Sequence, residues 1–80
     1  MGFPIAPNPD DLNTFRSIQA QARRDVAALE ADAAAEPAMF HLPAVASARK
    51  YLSERKFTLA ISQVAAARRM SAVLRAQASA

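Results

Sequence analysis

The sequence predicts an all-α protein: an extended N-terminal arm, one long amphipathic helix, then a helical hairpin or a bent long helix. Alanine fills 21 of the 80 positions and glycine one, a composition that favours helix and disfavours sheet. Apolar side chains recur at spacings of three and four between Leu12 and Ala33, the period of one helix face. All five prolines lie at or before position 43, so nothing beyond that point interrupts helical propensity. These features divide the chain into an arm over 1–8 and a single helical domain over 9–80. Helices are expected at about 9–35, 43–53 and 57–78.

The arm reads Met-Gly-Phe-Pro-Ile-Ala-Pro-Asn before Pro9. Three prolines in nine residues exclude a helix and favour extended, polyproline-like backbone. Phe3 and Ile5 are large apolar groups that gain nothing from water. The arm is therefore expected to clamp onto a partner, with these two residues as its anchors.

The first helix opens with an N-cap candidate, Asn8, then Pro9, Asp10 and Asp11. Proline suits the first helical position, and carboxylates suit the positive end of the helix dipole. Leu12, Phe15, Ile18, Ala22, Val26, Leu29 and Ala33 follow as one stripe, six steps over 21 positions. That spacing matches a coiled-coil seam. Leu12, Phe15, Ile18, Val26 and Leu29 are its large members and the candidate principal seam, internal or between chains. Glu36-Pro37 ends the helix, and Pro37 to Pro43 forms a short apolar connector.

From Ala44 onward, one helix of 37 residues is open to propensity, but the helical wheel argues against a simple straight one. Val45, Ala48, Tyr51 and Leu52 share one face, whereas Phe57, Ala60, Ile61, Val64 and Ala67 share nearly the opposite face. A break at Ser53-Glu54-Arg55-Lys56 lets these two faces meet in an αα-hairpin. Met70, Val73 and Leu74 then leave the second stripe and are expected to serve a different neighbour.

Ala48, Tyr51, Ala60 and Ala67 stand at offsets typical of small and aromatic positions in one helical repeat unit. Over about 34 residues this segment resembles a tetratricopeptide repeat. It departs from that family at Arg55, where the turn usually has glycine, and at Ala72, where a helix-ending proline stands. With a single copy present, no function is carried over from the resemblance.

Half of the 42 hydrophobic residues are alanine, leaving 21 large apolar side chains for a private core. Chains of this size commonly add a disulfide, a metal or a partner subunit to reach stability. Cysteine is absent, which excludes disulfides and thiolate metal sites. A partner chain is the remaining aid. No uncharged apolar run approaches the length of a membrane span. No basic-then-apolar leader precedes the domain, and Ala6 stands where a myristoylation signal needs Ser or Thr. Cytoplasmic residence, or residence in a particle assembled there, is the expectation.

Charge is unevenly distributed. Residues 1–36 hold three arginines and six acids, whereas 37–80 hold seven cations and one acid, Glu54. Arg49, Lys50, Arg55, Lys56, Arg68, Arg69 and Arg75 are candidate contacts for nucleic acid or for an acidic protein surface. They can equally neutralise the acidic first helix within the molecule. No base-reading turn or alternation of aromatic and basic residues accompanies them.

Catalytic, cofactor and metal-binding residues are not expected. His41 is the sole histidine and sits between Phe40 and Leu42, with no acid nearby to orient it. A single glycine at position 2 leaves no phosphate-cradling loop. The function expected is therefore that of a non-enzymatic structural or adaptor subunit, of the virion or accessory kind. It would dock through the arm and its amphipathic helices onto protein partners, self-association included. Phe3, Ile5, the first-helix seam, Met70, Val73 and Leu74 are the candidate contacts. The alternative is a small basic nucleic-acid-binding protein.

Overall fold

Three helices form: α1 over Pro9–Ala35, α2 over Leu42–Ser53 and α3 over Phe57–Ser79, with one 3-10 turn at Pro37–Met39. The computed structural model describes residues 9–79, with side chains from Leu12 onward. The arm expected over 1–8, with its anchors Phe3 and Ile5, lies outside the described residues.

Proline chemistry sets the first junction. Glu36 N–H still donates to the Asp32 carbonyl at 3.0 Å, but Pro37 excludes the α conformation from Glu36, which turns to φ −135°, ψ 66°. Met39 and Phe40 donate back to Glu36 and Pro37 at 3.0 and 3.4 Å. The expected plain connector thus contains one tight turn, and that turn carries Phe40 into the core. α2 begins at Leu42, one residue ahead of Pro43. The His41 carbonyl accepts from the Ala44 and Val45 amides at 3.0 and 3.3 Å. Pro43 occupies the first turn, where a missing N–H costs nothing.

Between α2 and α3 the chain makes a hairpin, not one bent helix. Arg55 adopts φ 62°, the left-handed conformation that ends helices. Its N–H donates to the Leu52 carbonyl at 3.0 Å, and the Lys56 N–H reaches the Tyr51 carbonyl at 2.8 Å. This pair of bonds is a Schellman motif. Such motifs usually join the residue after the left-handed one to the side chain five positions earlier. Here the Lys56 ammonium lies over the Tyr51 ring, 5.9 Å from its centroid, so a cation–π contact takes that role.

A left-handed non-glycine residue costs about 1–2 kcal/mol, part of which glycine's larger unfolded-state entropy would offset. Arg55→Gly is therefore expected to raise stability by roughly 0.5–1 kcal/mol, moving the thermal midpoint up by about 2–8 °C. Thermal melting followed by far-UV circular dichroism measures it. A lowered midpoint would mean that the Arg55 side chain contributes more than its backbone strain removes.

The helices run up, down and up. Phe15 meets Phe57 edge-to-face at 5.8 Å, while Asp32 pairs with Arg68 and Glu36 with Arg75 higher along the same two helices. α1 and α3 are thus parallel, and α2 returns between them. The core is built from Ala22, Val26, Leu29 and Ala33 of α1, Phe40, then Ala44, Val45 and Ala48 of α2, with Phe57, Ala60, Val64 and Ala67 of α3. Ile18, Met39, Tyr51, Leu52 and Ile61 pack partly buried against it. Six of the twelve core residues are alanine, so small side chains bring the helix axes close. The two faces that the wheel set half a turn apart are those that meet across the hairpin.

Candidate protein-docking surface

Three ion pairs fasten the acidic end of α1 to the other two helices. Arg49 Nε lies 2.7 Å from Glu30 Oε1, Arg68 Nη1 3.0 Å from Asp32 Oδ2, and Arg75 Nη2 3.1 Å from Glu36 Oε1. Lys56 pairs with Glu54 at 3.1 Å beside the hairpin turn. All are exposed, so each contributes at most about 1 kcal/mol and weakens with salt. Of the seven cations that could meet nucleic acid, these pairs engage four. Lys50, Arg55 and Arg69 make no ion pair among the described residues, and they sit on three different elements.

The apolar candidates divide by position. Val26 and Leu29 of the α1 seam are buried and Ile18 is half-buried, but the seam continues outward through side chains left largely in water. Leu12 and Phe15 are 43% and 49% exposed. The cause is length. α2 has 12 residues, about 18 Å at 1.5 Å each, against about 40 Å for α1. The first turns of α1 also lie below the level of Phe57, where α3 starts. A shallow groove of about 310 Å³ lies at this end, lined by Phe15, Ile18, Phe57 and Leu59 with Arg55 and Lys56 beside them.

The opposite end carries a second groove, about 430 Å³, bordered by His41, Arg69, Met70, Val73, Leu74 and Gln77. Met70 and Val73 are 42% and 56% exposed, and Leu74 is half-buried. Their departure from the α3 core stripe turns them outward. Sequence reasoning missed two further members of this exposed set, Leu42 at 53% and Leu59 at 48%. The wheel contained the signal for Leu59, which lies 200° from Phe57 at 100° per residue. Leu42 had no comparable signal, because its placement depends on where the turn before α2 delivers it.

Ionisable chemistry does not converge at either groove. His41 is exposed at the α2 N-cap and its side chain makes no capping bond. Among the described residues, no three His, Cys, Asp or Glu side chains gather closely enough to hold a metal ion. Ser71, buried on the core side of α3, is the polar member of the interior. No described helix is long and apolar enough to cross a membrane. No protein-family model, curated protein or solved structure matches the chain.

Proposed function

We propose that the protein is a non-enzymatic structural or adaptor subunit that acts by docking its helices, and the arm before them, onto protein surfaces. The observation that carries this reading is the set of six large apolar side chains left exposed: Leu12, Phe15, Leu42, Leu59, Met70 and Val73. Single exposed apolar residues are ordinary, but grouped ones mark contact surfaces. Phe15 and Leu59 border the groove at one end, and Met70 and Val73 border the groove at the other, of a bundle whose core is half alanine by count. Phe3 and Ile5 are read as further anchors on sequence grounds alone, and Leu74 would support Met70 and Val73. The nucleic-acid alternative needs cations free to neutralise phosphate, and four of its seven candidates are engaged by carboxylates.

The test is recovery of the tagged full chain from its native source, with the mass of the recovered complex measured. A stoichiometric complex is expected, lost in Met70→Glu/Val73→Glu or on removal of residues 1–8, with far-UV helicity unchanged. A chain recovered alone, or a complex indifferent to both changes, would end the docking reading. Salt-sensitive retention of duplex or RNA that falls in Arg68→Ala/Arg69→Ala would favour the alternative instead.

A further inference from the structure

Ion pairing gives the two apolar grooves a common border. Arg49, Arg68, Arg75 and Lys56 hold the carboxylates of Glu30, Asp32, Glu36 and Glu54. The cations of residues 37–80 left without an ion pair among the described residues are Lys50, Arg55 and Arg69. Two of these stand at the grooves, Arg55 at the one lined by Phe15 and Phe57, and Arg69 at the one lined by Met70, Val73 and Leu74. Among the described residues no carboxylate borders either groove. A third recess, about 280 Å³ between α1 and α3, is the contrary case, because its arginines, Arg68 and Arg75, already have acidic partners.

The groove at Arg69 is the larger of the two, about 430 Å³ against about 310 Å³. At 100° per residue, Arg69, Val73, Gln77, Met70 and Leu74 follow one another across about 140° of α3. The guanidinium thus marks one edge of an apolar strip. From Arg69 to Gln77 the strip rises about 12 Å, two turns of helix, a length suited to anchors at helical spacing on a partner. We propose that it binds an acidic amphipathic segment of another protein, with apolar side chains on Met70, Val73 and Leu74 and a carboxylate on Arg69. The proposal rests on the docking reading above and specifies the partner's chemistry.

Desolvation makes the selection. Any segment that covers the strip also takes water from the Arg69 side chain, which is exposed in the free chain. A neutral or cationic occupant leaves that charge without a counter-ion, whereas a carboxylate accepts two hydrogen bonds from the guanidinium fork. The net charge of +3 favours the approach of the same class of partner. The chain's own segments do not offer such an acid. α3 contains none, and residues 1–8 contain none. In a second copy, Glu30, Asp32, Glu36 and Glu54 are engaged by that copy's own cations. The remaining described carboxylate, Asp25, accepts from Gln21 at 3.5 Å. It is followed by the buried Val26, and the nearest exposed large apolar residue in its helix is Phe15.

Selection of a displayed library of random peptides on the immobilised full chain tests the proposal without a native partner in hand. Enriched peptides are expected to carry Asp or Glu beside apolar residues at steps of three and four. Their affinity, read by fluorescence anisotropy, should fall about tenfold or more in Arg69→Glu, and binding should be lost in Met70→Ser/Val73→Ser with helicity unchanged. Lys50→Glu makes the same change in net charge on α2, away from the strip, and should alter affinity by about twofold or less. Amide chemical-shift changes on binding should centre on His41, Met70 and Val73. Enriched peptides without acids, equal losses in Arg69→Glu and Lys50→Glu, or shifts centred on Phe15 and Leu59 would each overturn the proposal. A library that yields no binder would overturn it as well. So would a chain whose sedimentation mass doubles unless Met70→Ser/Val73→Ser is present, since the strip would then belong to a second copy. If the acidic preference failed while a complex from the native source still depended on Met70 and Val73, the docking reading would stand without this assignment of charge.

Discussion

Leu29→Ala is expected to lower the thermal midpoint by roughly 12–30 °C. Leu29 is 0% exposed, and it and Val26 are the largest side chains so completely enclosed. Its removal takes away the transfer free energy of the isobutyl group and leaves a cavity that neighbouring alanines are too short to fill. Substitutions of this kind cost about 2–5 kcal/mol, with about 3–4 expected here. An 80-residue domain has only about 4–12 kcal/mol of stability in total. The variant should therefore be partly unfolded near physiological temperature. Urea denaturation at low protein concentration measures the loss. Leu12→Ala, in the same helix and stripe but 43% exposed, is the control and should cost less than about 1 kcal/mol. Equal losses at the two positions would mean that the α1 stripe is not divided between core and surface as described.

The second large effect comes from adding volume. Ala48 of α2 and Ala60 of α3 are both 0% exposed on the helix faces that meet across the hairpin. With Ala22 and Ala67, also fully enclosed, they allow the three axes to approach closely. Ala60→Leu would force side chains off their rotamers or push α2 away from α3. The Schellman turn at Arg55 limits that retreat. Overpacking of this kind costs about 1–3 kcal/mol, a fall in midpoint of roughly 4–24 °C. Ala65→Leu, on the exposed side of α3, should be nearly neutral because leucine and alanine differ little in helix propensity. Were Ala60→Leu also neutral, the helices would be packed more loosely than the burial of these alanines implies.

These two positions also mark where sequence reasoning reached and where it stopped. The period of Ala22, Val26, Leu29 and Ala33 identifies an inward face without any structure, because only helix geometry aligns those residues. It does not distinguish Leu29 from Leu12, which belongs to the same stripe. What separates them is the length of α2 and the level at which α3 begins. The surface shows the same division. The turn of Met70 and Val73 away from the α3 core stripe is legible on a wheel, whereas Leu42 becomes exposed only through the path of the chain from Pro37 to His41. The basic half of the chain carries no indication in one dimension of which cations are engaged. The parallel alignment of α1 and α3 brings Asp32 to Arg68 and Glu36 to Arg75, 36 and 39 residues apart.

Helicity, and the end of α1 at Glu36-Pro37, are encoded locally, because alanine content, proline positions and apolar period act through the nearby backbone. The sequence by itself left open whether residues 43–80 form one bent helix or two. The tertiary structure decided for two, with Arg55 in a left-handed conformation that is unfavourable alone and is held by the packing of α2 on α3. Tertiary structure also decided which half of each stripe is covered and which arginines are engaged. Burial and ion pairing depend on distances between segments far apart in the chain, and local preference does not encode those distances.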